Sequence, residues 1–335
     1  MSQAFRILTA ITPDKIHLRA GVWEVPEGVK ARGICVLLHG MSEFLEKYGE
    51  VAGELGHRGF IVASFDWRSQ GASERRRAGN RASHVGTFEE YDRDLAAMLL
   101  QIVEPMQRIA PLPVFGLAHS MGGQILLRFL HEHPRRFTCA VLVAPMLEIE
   151  TGKYSPQVTK TVALAFNLRR PSTRLLFGTE ERDPLDVGFE GNVLTSDRAR
   201  FERTRGLLKQ QPFLRVHGPT FGWLGAAFRS IAHVRRRGFA EDIVTPTLVF
   251  GSGRDRVVKT SVTRDYVKRM AHARYVEIDE AEHEILMEKD SIRAHFWSEF
   301  DAFIDAQLAT AIPFAPQPRA PVEVKPIRGF SGKEK

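Results

Sequence analysis

The chain has 335 residues, a formal net charge of +7, 43% apolar residues and 26% charged ones. That composition suits a soluble globular protein with a substantial core. It argues against a membrane-spanning chain, since no apolar run reaches bilayer length, and against a secreted one, since residues 1–8 lack an apolar signal core and a cleavage site.

Cytoplasmic residence follows as the expectation, with room for peripheral contact at the inner face of a membrane. Cys35 and Cys139 lie in apolar strand-like runs without metal-ligand spacing, so both read as reduced and buried. Residues 1–32 alternate loosely and carry a turn at Pro26-Glu27-Gly28, which predicts an antiparallel hairpin at a sheet edge. Gly33-Ile34-Cys35-Val36-Leu37-Leu38 is a continuous apolar run, the signature of a strand buried on both faces. A helical segment, roughly Phe44 to Arg58, precedes the next strand, Gly59–Phe65. Thr87 to about Ile109 predicts a helix capped by Thr87, with acidic residues in its first turn. Val114–Ala118 predicts a strand that runs into Ser120, and the helix behind that serine stops at Pro134. Cys139–Pro145, Pro246–Gly251 and Arg274–Ile278 complete the strands. Helices are expected near Thr260–Ala271 and Ser291–Leu308.

Strands alternating with helices predict a mostly parallel sheet with right-handed crossovers. Residues 1–145 and 241–311 carry this pattern. Residues 146–240 lack buried strand runs and read as a helical insertion over the sheet. Residues 312–335 are rich in proline and lysine, which predicts disorder.

Three polar residues end strands in this scheme. Ser120 lies in Ala118-His119-Ser120-Met121-Gly122-Gly123, where a strand turns sharply into a helix whose free N–H groups face a developing oxyanion. Asp255 follows a later strand and His283 follows the last one. Serine nucleophile, histidine base and orienting aspartate are the parts acyl transfer requires. In a parallel sheet they must gather at the carboxyl ends of strands, and the order Ser, Asp, His is that of an α/β-hydrolase. A lone strand-end aspartate is usually a turn former and a lone histidine between glutamates usually a surface residue. All three after the right strands are much harder to obtain by chance. Asp279 is a rival for the acid, but it stands too near His283 to reach around it. The backbone N–H groups of Met41, after the first buried strand, and Met121, after the nucleophile, are the candidate oxyanion donors.

Leu37-Leu38-His39-Gly40, Phe65-Asp66-Trp67-Arg68-Ser69-Gln70-Gly71-Ala72-Ser73, the Ser120 motif, Gly251-Ser252-Gly253-Arg254-Asp255 and Glu282-His283 together resemble the monoacylglycerol lipase/lysophospholipase L2 group of α/β-hydrolases, which is serine aminopeptidase S33-like. The resemblance spans about Leu8 to Leu308, and Phe221-Gly222-Trp223-Leu224 is similar to the lysophospholipase branch. It implies an α/β-hydrolase fold with an eight-stranded sheet, helices on both faces and a helical cap. It further implies a serine hydrolase that cleaves acyl esters of glycerol or glycerophospholipid through an acyl-enzyme, with no cofactor and no metal. Ala118 and Ser69 depart from the pattern, each standing where the group carries glycine. A peptidase or amidase of the same superfamily and a non-catalytic binding protein on this fold are the alternatives. The apolar faces of the insertion suit an acyl chain. Its basic residues, Arg169, Arg170, Arg200, Arg203, Arg205 and 235–237, suit anionic head groups or an anionic membrane. Nucleic acid is not an expected partner, because no recognition module accompanies the basic balance. Oligomeric state is not legible.

Overall fold

A computed structural model describes residues 5–75, 81–152, 155–167, 171–176 and 183–310. The tail at 312–335, and Arg169 and Arg170, lie outside the described residues. The chain starts with strands β1 (Arg6–Ile11) and β2 (His17–Trp23), paired antiparallel. Their turn is at 12–16, not at Pro26-Glu27-Gly28. Thr12 closes it, its Oγ1 accepting the Ile16 N–H at 2.9 Å, as a short hydroxyl side chain does when it substitutes for backbone. Pro26 makes a separate turn, its carbonyl accepting the Val29 N–H at 3.0 Å, that leads into the next strand.

Strands β3 (Gly33–Leu38), β4 (Phe60–Phe65), β5 (Val114–His119), β6 (Cys139–Val143), β7 (Thr247–Ser252) and β8 (Ala273–Ile278) follow. The eight form one sheet in the order β1-β2-β4-β3-β5-β6-β7-β8. β2 meets β4 antiparallel, and every pairing from β4 to β8 is parallel. The continuous apolar runs are explained by the two faces. Ile34, Val36 and Leu38 enter one core cluster while Cys35 and Leu37 enter the other, and β5 and β6 split the same way. Both cysteines are free and buried.

Helix α1 (Gly49–His57), preceded by a 3₁₀ turn at Leu45–Tyr48, packs its Val51, Ala52 and Leu55 on one face. The other face holds α2 (Glu89–Met98), which runs through a π turn at Leu99–Val103 into α3 (Glu104–Ile109). Thr87 does not cap α2. The Glu90 carboxylate reaches back instead and accepts the N–H groups of Gly86, at 2.7 Å, and Thr87, at 3.2 Å. Those two amides precede the Phe88 cap position, so the carboxylate fixes the chain entering the helix, and the helix start itself has no side-chain cap among the described residues. Helix α4 (Met121–Glu132) leaves the end of β5. Between β6 and β7 come α5 (Pro156–Phe166), α6 (Arg198–Gln210) and α7 (Phe221–Arg235). Helix α7 begins at the Phe221-Gly222-Trp223-Leu224 motif and is capped by Thr220, whose Oγ1 accepts the Trp223 N–H at 3.1 Å. Helices α8 (Thr260–Val267) and α9 (Asp290–Ala309) flank β8, and α9 shares the α1 face.

The loop after β4 carries one of the two departures from the resembled pattern. Ser69 has φ +65°, a region that costs a non-glycine residue about 1–2 kcal/mol. Glycine would relieve that strain but adds unfolded-state freedom worth about 0.4–1 kcal/mol. Ser69→Gly is therefore expected to stabilise the protein by about 0.5–1 kcal/mol, read as a higher urea midpoint. A lower midpoint would contradict this reading of the loop.

Candidate active site

The carboxyl ends of the parallel strands gather the polar residues. Ser120 is the residue between β5 and α4, with φ +50° and ψ −115°. A serine holds this conformation only when its surroundings determine it. Here its N–H donates to the Val143 carbonyl at 2.9 Å, and its own carbonyl accepts from Gln124 and Met146 at 3.1 and 3.0 Å. Gly122 allows α4 to approach β3, because a Cβ there would lie 2.6 Å from the Leu38 carbonyl oxygen. The elbow thus aims the Ser120 hydroxyl away from the sheet while leaving the side chain 7% exposed as a residue.

His283 Nε2 is 2.9 Å from Ser120 Oγ, and His283 Nδ1 is 2.7 Å from Asp255 Oδ2. The other carboxylate oxygen of Asp255 accepts the N–H groups of Val257 and Val258 at 2.8 and 2.9 Å. Burial pushes the Asp255 carboxyl up, but the hydrogen bond and charge of His283 and these two amides outweigh it and hold the carboxyl below the ordinary value. An ionised, acceptor-only carboxylate puts the imidazole proton on Nδ1 and leaves Nε2 free to accept from the serine hydroxyl. Asp279 is exposed and does not join them; its backbone packs against Gly253. The structure therefore brings together the three strand-end residues that the sequence singles out.

Met41 and Met121 occupy the expected places, the first in the turn after β3 and the second opening α4. Among the described residues, neither N–H donates to a protein acceptor. The two turns are in contact, since a Cβ on Gly40 would lie 3.2 Å from Ser120 Cβ and 3.0 Å from His119 Nδ1.

Beneath this site is a buried polar network that sequence reasoning missed. Glu43 accepts the Gly40 N–H, Lys47 Nζ at 2.6 Å and the Tyr48 hydroxyl at 2.8 Å. Lys47 Nζ also donates to Glu284 at 2.6 Å. His119 Nδ1 lies 3.1 Å from Glu43 Oε2 and its Nε2 lies 3.2 Å from the His283 carbonyl oxygen. Both ring nitrogens face acceptors, which favours the doubly protonated ring. Burial pulls the His119 pKa down, but the neighbouring Glu43 carboxylate dominates and raises it. Two carboxylates are thus matched by Lys47 and His119 in a space where an unpaired charge costs about 3–5 kcal/mol. The sequence signals were the four-residue spacing of Glu43 and Lys47 and the position of His119 beside the serine. From sequence, Glu284 reads either as a carboxylate that raises the basicity of His283 or as a solvated residue; it is 7% exposed and ion-paired with Lys47.

Several basic residues of the 146–240 segment are also paired. Arg200 forks onto Glu50 at 2.6 and 2.9 Å and reaches Asp290 at 2.6 Å, while Arg203 lies 2.6 Å from Glu50. Burial pushes the Glu50 carboxyl up, but these guanidinium contacts outweigh it and bring it down to about 2. Arg205 bonds the Val187 carbonyl, and Arg235 bonds Glu148. Arg200 and Arg203 brace α6 against α1, and Arg200 also against α9.

Residues 29–290 match the family described as serine aminopeptidase, S33. The chain belongs to the S33 serine aminopeptidase family. Among its relatives, lysophospholipase L2 of Escherichia coli K12 is 34% identical over 271 residues, covering 78% of this chain and 77% of the relative. Monoglyceride lipase of Rattus norvegicus is 32% identical over 138 residues, 41% of this chain and 42% of the relative. A soluble variant of monoglyceride lipase from Saccharomyces cerevisiae, solved with a substrate analogue, superposes with a TM-score of 0.72 at 18% identity, covering 92% of this chain and 97% of that one. At that identity the superposition speaks for the α/β-hydrolase fold. In this S33 member Ala118 is a fully buried strand residue whose methyl lies in the core. It therefore removes no polar group from the site.

Proposed function

We propose that this chain is a serine hydrolase for single-chain lipid esters, lysophospholipid or monoacylglycerol. Its relatives with those names support the substrate class. The observation that carries the chemistry is the Ser120–His283–Asp255 hydrogen-bond chain, with spacings of 2.9 and 2.7 Å. In this reading Ser120 Oγ attacks the acyl carbonyl as His283 Nε2 takes its proton. The carbonyl oxygen becomes an oxyanion facing the Met41 and Met121 N–H groups. Collapse expels the glycerol alcohol, which receives the proton from His283, and an acyl-Ser120 ester remains. Water, deprotonated by the same imidazole, then releases the fatty acid and restores the serine. Asp255 stabilises the imidazolium at each stage.

Residues 146–240 are proposed as the cap above this site, and residues 1–145 with 241–311 as the catalytic core. No helix among the described residues is long and apolar enough to cross a membrane. The segment carries exposed Val158 and Leu164 on α5, and Phe213. We extend the proposal to contact of these side chains with an anionic membrane surface, where single-chain lipids partition.

The family's description favours one competing reading, an aminopeptidase or amidase of the same fold. A panel of 1-monooleoylglycerol, 1-oleoyl-lysophosphatidylethanolamine, 1-oleoyl-lysophosphatidylcholine and aminoacyl p-nitroanilides separates the two. Fatty-acid release from the glycerolipids is expected, at a higher kcat/KM than p-nitroaniline release. The opposite ranking would replace the lipid reading with the peptidase one. Absence of labelling by a fluorophosphonate would leave a non-catalytic binding protein.

A further inference from the structure

We propose that Gln70 is a positioning residue for the oxyanion site. The inference rests on Met41 being an oxyanion donor, as proposed above. Three successive peptide units form the turn after β3, and a buried side chain pins each. The His39–Gly40 unit gives its N–H to the Glu43 carboxylate. The Gly40–Met41 unit, which carries the Met41 N–H, has its carbonyl oxygen 2.7 Å from His39 Nδ1. The Met41–Ser42 unit gives its N–H, from Ser42, to Gln70 Oε1 at 2.6 Å. Pinning the units on both sides and the carbonyl of the middle one leaves the Met41 N–H as the donor with no protein acceptor among the described residues.

Gln70 can serve this purpose because it is itself fixed. It is fully buried, in the loop after β4 between Ser69 at φ +65° and Gly71 at φ +48°. Its N–H donates to the Trp67 carbonyl at 3.0 Å and its carbonyl accepts from Ser73 at 3.1 Å. Trp67 Nε1 in turn donates to the His39 carbonyl oxygen at 2.9 Å, tying this loop to the β3 turn. The Gln70 amide nitrogen lies 3.5 Å from the Tyr91 hydroxyl and 3.9 Å from the sulfur of Met121, the second oxyanion residue. One carboxamide therefore touches both donor segments. Ser42 adopts φ +63°, a conformation that relaxes unless its N–H is held. Without the Gln70 oxygen, the Ser42 peptide would turn and carry the Met41 N–H off the line to the oxyanion.

The sequence motif Asp66–Ser73 thus has a role that its distance from the three strand-end residues hides. An interaction of this kind is stronger in the transition state than in the ground state, so its loss should appear in kcat.

Gln70→Leu removes the acceptor, and Gln70→Glu keeps an acceptor oxygen at the same reach. Rates are normalised to the active sites that a fluorophosphonate titrates, on a p-nitrophenyl ester. Gln70→Leu is expected to lower kcat by about 10–100-fold with KM within about threefold, because one oxyanion donor is misdirected rather than deleted. Gln70→Glu should recover at least part of that loss. Affinity for a trifluoromethyl ketone, which forms an anionic adduct on serine, should fall with kcat, while affinity for the corresponding secondary alcohol should not. A purely structural role would lower the melting temperature and the titratable fraction while leaving kcat per site and the ketone-to-alcohol ratio unchanged, and that result would overturn the proposal. Equal kcat in the two variants would overturn it as well. Should Gln70→Leu fail to fold, Gln70→Met, of similar length and without the amide oxygen, takes its place, and a kcat below wild type with a matching loss of ketone affinity supports the proposal. A kcat below wild type with an unchanged ketone-to-alcohol ratio contradicts it. Wild-type ester hydrolysis by a Ser120→Ala variant would instead remove the underlying enzyme reading, so the two failures are distinguishable.

Discussion

Ser120→Ala should lower kcat for ester hydrolysis by about 10⁴–10⁶-fold, the range seen when a serine nucleophile is deleted. The substitution removes one atom, the oxygen that lies 2.9 Å from His283 Nε2. It leaves the backbone requirement at φ +50° as it was, because alanine and serine pay similar strain there. The elbow is held by main-chain bonds from Val143, Gln124 and Met146 that do not involve the side chain. Circular dichroism and melting temperature should therefore match the wild type while activity is lost. The measurement is hydrolysis of short- and long-chain p-nitrophenyl esters by both proteins. Equal rates would remove Ser120 from the nucleophile's position.

Asp255→Asn should cost about 10⁴-fold in kcat with a small effect on KM. The geometry explains why so conservative a change is severe. One carboxylate oxygen accepts two main-chain N–H groups, from Val257 and Val258. An asparagine must keep its carbonyl oxygen there, which turns its NH₂ toward His283 Nδ1. Nδ1 then becomes an acceptor, the ring proton moves to Nε2, and Nε2 presents a proton to the serine hydroxyl that it should deprotonate. Steady-state kinetics on the same esters, with the variant's fold checked by spectroscopy, reads this directly. A loss below tenfold would assign the orienting role elsewhere. The substitution also bears on acid stability. The folded state holds the Asp255 carboxyl below its ordinary 3.8, so its contribution is full above that value and is lost as pH falls through the lowered one.

The parts of the fold that were legible were those written in one-dimensional pattern. β3, β5 and β6 appear as unbroken apolar runs because residues such as Val36 and Leu37 enter cores on opposite sides of the sheet. Ser120, Asp255 and His283 were legible because each stands at the end of such a run, where a parallel sheet collects its loops. What escaped was decided by tertiary pairing. Glu43, Lys47 and Glu284 look like surface residues until folding places the Lys47 ammonium 2.6 Å from a carboxylate oxygen of each glutamate. The hairpin turn was misplaced because Thr12 supplies a side-chain acceptor that no glycine or proline announces. Thr87 does not cap its helix because the helix starts one residue later, with Phe88 at the cap position, while Glu90 holds the Gly86 and Thr87 amides that precede it.

The ion pair from Lys47 to Glu284 joins residues 237 positions apart, and the His283–Ser120 bond joins residues 163 apart. During synthesis the elbow serine leaves the ribosome long before its imidazole partner. Under the proposed chemistry, a nascent or prematurely terminated chain carries the hydroxyl but has no base to activate it. Lipid cleavage then begins only after the last strand has added to the sheet edge.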